Sequence, residues 1–315
     1  MDVRPADLRE PDPDVIGALA DGDAGGQGGE LLADEAAARE QRRQRRYLMH
    51  ALLRSPTFMT GLIIVIFWVF MALFSTSITQ SPTAQDAFAS LQAPSAAHWF
   101  GTDDLGRDVF ARTMAGARSV LIIAPLATAL ALLWGGIIGL VSGFYRGLTD
   151  EIIMRLVDVL LALPIIITSI LILSLLGKGL SIIIITIGAL FTPVISRTVR
   201  AAVIGERERE YVMAARLRGE RSVFVMSREI LPNIKEPIIV EGTIRLGYAV
   251  FTAATLSFLG FGLAPPSPDW GLTIATQRVF LQIAPWSSLF AAAALASLVV
   301  GVNLITDGLG RVFSK

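Results

Sequence analysis

The side chains that run most enzyme chemistry are scarce in this sequence. It has no cysteine and only two histidines, His50 and His98. Thiol nucleophiles, disulfides and iron–sulfur clusters are therefore excluded, and two distant histidines without ligand spacing predict no metal site. No Gly-x-x-x-x-Gly-Lys-Ser/Thr run is present, so the chain itself is expected to bind neither ATP nor any other cofactor. The ionisable groups within its long apolar runs are Asp158, Glu241 and Arg245. An arginine in hydrocarbon costs roughly 2.5 to 3.5 kcal/mol, so such groups pair or face a cavity. Glu241 and Arg245 stand four apart with the acid first, the order that lets them pair on one helix face. Asp158 is expected to be a structural partner at an interface with another chain, or else a pathway residue. The apolar runs hold no nucleophile with a base and no cluster of carboxylates, so no catalytic residue is assigned.

The densest polar feature is "EYVMAARLRGERSVFVMSREILPN", Glu210 to Asn233, between two apolar runs. Glu210 to Leu217 reads as a short amphipathic helix with Tyr211, Ala214 and Ala215 as its small or apolar surface. Gly219 ends it where a left-handed residue is usually needed, a conformation costing other residues roughly 1 to 2 kcal/mol. A second short helix is expected over Ser222 to Leu231, capped by Ser222 and carrying Ile230. Pro232 stops it and Pro237 starts the next apolar run. Helix, glycine turn and helix make a rigid knob of the kind that fits a socket. The competing reading is a basic loop resting on a membrane surface.

The elements that must hold this knob are set by composition. With 53% hydrophobic and 17% charged residues and a mean hydropathy of +0.60, the chain is an integral membrane protein. Roughly 20 apolar residues in a helix cross a hydrocarbon core. Six runs qualify: Thr57 to Phe74, Ser119 to Tyr145, Leu156 to Leu176, Leu180 to Ile195 with flanks to Val199, Pro237 to Leu263, and Trp286 to Ile305. Alternating barrel strands are lacking, so the expected fold is all-α, a polytopic bundle of six transmembrane helices. Arginines crowd the tail, the loop at Arg146 and the insert after the fourth run, whereas few basic residues fall on the other side. This places both termini inside, in the cytoplasm.

Gly135, Gly139 and Gly143 recur every fourth residue in the second run and offer a face for close helix packing, within the bundle or against a partner. Pro164 is expected to kink the third run. Residues 1–46 read as a disordered acidic tail, and 47–76 as a basic helix on anionic headgroups followed by the first span. Residues 77–117 form an extracytoplasmic loop with a short interfacial helix capped by Asp103 or Asp104. The core is expected over 118–308, with the knob within 201–236 and a cytoplasmic end at 309–315.

Three stretches then carry a resemblance. The knob resembles the coupling segment of permease subunits in type I ABC importers, whose pattern is Glu-Ala-Ala, Gly, then Ile-x-Leu-Pro. Ala214, Ala215, Gly219, Leu231 and Pro232 match; Met213 stands at the family's glutamate, and Glu229 at its isoleucine with Ile230 one place later. Glu210, one turn earlier, is the acid available to substitute. "FGTDDLGRDVFAR" with "GARSVL", and "LSFLGFGLAPPSPDWG" from Leu256 to Gly271, resemble the second permease subunit of dipeptide, oligopeptide and nickel importers. The resemblance runs from about Arg54 to the C-terminus. It implies the type I importer permease fold in the cytoplasmic (inner) cell membrane, a homologous permease partner, two ATP-binding cassette subunits that hold ATP and Mg, and an extracytoplasmic substrate-binding protein. It implies contact with membrane lipid and none with nucleic acid. Peptide is the expected substrate, with nickel complexes or oligosaccharides as alternatives. An ion-coupled secondary transporter is the alternative of another class, one that would require broken helices with charges at the membrane midplane.

Overall fold

The computed structural model describes residues 52–313. The acidic tail, the start of the basic segment and the last two residues lie outside the described residues. Among the described residues there is no strand, only an isolated bridge between Thr102 and Asp108. The helices are α1 (Pro56–Ile78), α2 (Val109–Tyr145), α3 (Gly147–Ala162), α4 (Ile165–Leu176), α5 (Leu180–Glu206), α6 (Glu210–Leu217), α7 (Lys235–Phe258), α8 (Trp270–Gln277) and α9 (Trp286–Phe313).

Glycines set how the long helices pair. A Cβ on Gly135 would meet Ile195 and Thr192, on Gly139 Ser196 and Val199, and on Gly143 Val203 and Arg200. Residue numbers rise together on both sides, so α2 and α5 run parallel with their backbones in close approach, the packing that small residues permit in lipid. The glycine face thus packs within the chain. Conversely, Gly61 opposes Gly301 and Gly308 opposes Phe58, and Trp68 Nε1 donates to Ser297 Oγ at 2.8 Å. α1 and α9 are therefore antiparallel.

Two parallel helices joined in sequence need a return crossing between them. α3 and α4 supply it, bent by 89° to each other. α4 has 12 residues, about 18 Å of helix, too short to cross alone. Counted as one crossing, the bent pair completes six spans with α1, α2, α5, α7 and α9. The expected kink at Pro164 is corrected to a right-angle break. Leu163 is extended at φ −85°, ψ 129°, as the residue before a proline is driven to be, and Pro164 itself stays out of either helix.

The expected break between interfacial helix and second span is also corrected. α2 is one helix of 37 residues, about 55 Å long, and its cap is Asp108 rather than Asp103 or Asp104. Asp108 Oδ1 accepts from Ala111 N at 2.7 Å, and its other oxygen meets His98 Nδ1 at 2.8 Å. Asp103, 1% exposed, instead accepts from Arg107 Nε at 2.7 Å. Arg112, buried in the first turn of α2, donates to the carbonyls of Pro82 and Ser267, both at 3.1 Å. Trp270 Nε1 donates to Thr113 O at 2.7 Å, and Asp269 accepts from Ser119 Oγ at 2.9 Å while capping α8 at Leu272 N. The two outer motifs thus fold against each other as one buried polar knot, in which each of these charged side chains meets at least one hydrogen-bonding partner, as burial requires.

Candidate functional site

The helix α6 begins and ends where expected, at Glu210 and Leu217. Val212 and Ala215 are fully buried, while Ala214 points to the exposed side. Gly219 has φ +78°, and the bonds Glu220 N to Ala215 O, 3.2 Å, and Gly219 N to Arg216 O, 3.0 Å, form a Schellman end that requires a left-handed residue there. Glu210 sits exposed in the first turn, the favourable end of the helix dipole for an acid.

The second helix differs from expectation. It is α-helical only over Ser222–Phe224 and continues as a π-helix over Val225–Ile230, closing with Leu231 N to Met226 O at 2.9 Å. Ser222 is the first helical residue and makes no cap; Arg221 holds the capping position without a side-chain bond. The wider turn lets Val225, Met226 and Ile230 all point inward and be buried. Leu231 and Pro232 lie in the turn that follows, and α7 starts at Lys235, with Pro237 in its first turn.

A hydrogen bond ties this knob to α5 and a cation–π contact ties it to α2. Tyr211 Oη donates to Glu206 Oε1 at the end of α5, 2.6 Å away, and accepts from Asn233 Nδ2, just before α7, at 3.0 Å. Burial, and the neighbouring Glu206 carboxylate that would repel a phenolate, push the Tyr211 hydroxyl up to about 12. Arg207 Nη1 donates to Phe144 O in the last turn of α2 at 2.6 Å, and the Arg216 guanidinium lies 4.5 Å over the Phe144 ring. Burial first, and then the positive charges of Arg216 and Arg146, lower the pKa of Arg207.

Among the arginines that the knob exposes stand large apolar side chains. Leu217 is 89% exposed and Val223 70%, and Met213, Phe224 and Leu231 are also exposed. Side chains of this kind, grouped on a rigid element at the arginine-rich end of the spans, mark a surface that another protein covers.

The ionisable groups of the spans are paired. Arg245 Nε donates to Glu241 Oε1 at 2.5 Å, and Thr198 Oγ1 to Glu241 Oε2 at 3.3 Å. Asp158 pairs with Arg197 of the same chain, and Asp150 with Arg200 through two bonds of 2.5 Å. Among the described residues no cluster of His, Asp or Glu could hold a metal ion.

Residues 135–315 match the family model of the binding-protein-dependent transport system inner membrane component. The chain belongs to this permease family. Residues 44–94 of the permease also match the N-terminal TM domain of oligopeptide transport permease C. It is 40% identical over 259 residues to the dipeptide transport system permease protein DppC of Alkalihalophilus pseudofirmus, covering 82% of this chain and 85% of the relative. To the probable peptide ABC transporter permease protein y4tQ of Sinorhizobium fredii it is 39% identical, over 90% and 97% of the two chains. To the oligopeptide transport system permease protein OppC of Bacillus subtilis it is 38% identical, over 80% and 83%. With six apolar crossings among the described residues, the bent pair counted as one, the chain is a multi-pass cell-membrane permease of the ABC importer type, as the sequence motifs led one to expect.

Several residues that organise the permease escaped sequence reasoning. Asp150 and Arg200 join α3 to α5, yet they lie 50 positions apart, and no local spacing announces such a pair. Arg207, which ties the end of α5 to α2, and Asn233, which bonds Tyr211, read as ordinary turn residues. The signal for Asn233 was its place directly after Leu-Pro, where the chain must turn.

Proposed function

We propose that the chain is one of two permease subunits of an ATP-driven importer for peptides, and that Glu210 to Pro232 is the part that receives the ATPase stroke. The observation that carries this is the exposed apolar side chains Met213, Leu217, Val223, Phe224 and Leu231 on a knob held to α5 by Tyr211 and to α2 by Arg216. A partner that moves this face pulls on the ends of α5 and α2 through these contacts, and on α7 through the short chain that follows Asn233. The spans are then a two-state element biased by ATP at one end and a loaded binding protein at the other. ATP and Mg would be held by two cassette subunits docked from the cytoplasm, and a homologous permease would complete the pathway. Peptide is supported by the names of the relatives, which are dipeptide, peptide and oligopeptide permeases.

Affinity purification of this chain from its native membrane, with an ATPase assay on the eluate, tests the proposal. The expected result is recovery of a second permease and ATPase subunits, with hydrolysis stimulated by a peptide-loaded binding protein. Recovery of the chain alone, without hydrolysis, would overturn it.

A further inference from the structure

A cavity of about 280 Å³ lies beside the end of α2, lined by Phe144 and Tyr145 and by Arg207, Arg216, Glu220 and Ser222. Two cations face it without an acid of their own: among the described residues neither Arg207 nor Arg216 has a carboxylate within 4.0 Å. The cavity's single acid, Glu220, lies 3.8 Å from Arg218 Nε, and Arg146 is occupied by Glu208 at 3.1 Å. Ser222 Oγ has no hydrogen-bond partner among the described residues, and Arg207 uses only Nη1 on the α2 carbonyls. Burial first, and then the nearby charges of Arg216 and Arg146, disfavour the Arg207 charge. An anion would offset these charges and fill the unused donors.

Depth decides which anion. The helix α2 ends at Tyr145, which is half exposed beside the cavity, so the site lies at the cytoplasmic end of a span. Aromatic residues with a polar tip concentrate at that level, and the cytoplasmic leaflet there carries anionic headgroups. We propose that this cavity binds the phosphate of an anionic phospholipid, with Arg207 and Arg216 donating from their guanidinium forks and the Ser222 hydroxyl as a further donor. Such a lipid spans the end of α2 and the π-helical side of the knob, joining by charge two elements that already touch through Phe144. The inference rests on the membrane orientation and not on ATPase docking.

The test is lipid retention on the full-length chain in mild detergent, read by native mass spectrometry with phosphatidylglycerol and phosphatidylcholine as probes. Phosphatidylglycerol is expected to bind preferentially, and Arg216→Gln to weaken it about tenfold, the loss of one charge-assisted contact. Arg155→Gln, which removes another exposed arginine, on α3, is expected to change it less than about twofold. Arg216→Lys keeps the charge but loses the fork and should fall between; it serves as the measurement should the glutamine variant misfold. Equal retention of both lipids, equal effects of Arg216→Gln and Arg155→Gln, or displacement of the lipid by an equal concentration of inorganic phosphate would each overturn the proposal. Loss of ATPase docking would leave these readouts unchanged, so the two readings fail separately.

Discussion

Tyr211 Oη and Glu206 Oε1 lie 2.6 Å apart, and this bond fastens the first turn of the knob to the last turn of α5. Asn233 donates to the same hydroxyl, so one phenol links the elements before and after the knob. Tyr211→Phe keeps the ring and removes both bonds. The expected outcome is a chain that inserts normally and still supports ATP hydrolysis, with transport per ATP reduced severalfold. Parallel assays of hydrolysis and uptake in reconstituted vesicles check it; unchanged stoichiometry would show that the brace carries no force.

The same bond has a pH signature. The Tyr211 hydroxyl is raised from 10.0 to about 12, so its contribution to stability is fully present below pH 10 and is lost as pH rises through about 12. A tyrosinate absorbance titration should show one late-ionising tyrosine that is missing in Tyr211→Phe.

Close approach of α2 and α5 gives a second class of prediction. A Cβ on Gly139 would stand 2.5 Å from Ser196 O, a backbone atom that cannot move aside alone. Gly139→Leu should destabilise the bundle by about 3 kcal/mol, the upper part of the overpacking range, seen as a lower unfolding midpoint in detergent. Gly136→Leu, with open space around it, should have little effect.

The outer knot predicts a folding defect without a chemical one. Arg112 is buried and bonds to the carbonyls of Pro82 and Ser267, groups contributed by two separate loops. Removing it strands half-buried acceptors and takes a counter-ion from buried Asp103, so Arg112→Met should cost about 3 kcal/mol. Protease sensitivity of the loop between α1 and α2 should rise in that variant, while Arg155→Gln should leave it unchanged.

Gly219 separates shape from insertion. Nothing lies within 4 Å of a Cβ built there, but φ is +78°. Gly219→Val therefore meets strain of about 1 to 2 kcal/mol without a clash, and membrane insertion should survive. Uptake should fall while basal hydrolysis persists, because the turn that sets the exposed face is altered; normal uptake would contradict the proposed role.

These particulars also show what a sequence can and cannot announce. The bounds of α6, the turn at Gly219 and the glycine face of α2 were legible because each follows from local spacing and one special backbone angle. The pairing of Glu241 with Arg245 was legible because both sit on one helix face. The length of α2 was hidden, since Arg107, Asp108 and Arg112 read as the polar side of a separate interfacial helix until their buried partners from other loops are known. The right angle at Pro164 was read as a kink because the flanking apolar run continues across it without interruption. The π-helical segment was unreadable for a similar reason: Val225, Met226 and Ile230 suit an α-helix face until packing recruits all three inward.

The central claim is that the face around Leu217 meets an ATPase subunit, and the natural absence of cysteine makes it directly testable. Leu217→Cys and Ile66→Cys, the second on the exposed side of α1, would each be treated with a short thiol-to-amine cross-linker in native membranes. The account predicts a cross-linked product with an ATP-binding subunit from Leu217→Cys, altered in yield by ATP, and none from Ile66→Cys. No such product from Leu217→Cys, in membranes where uptake is intact, would contradict it.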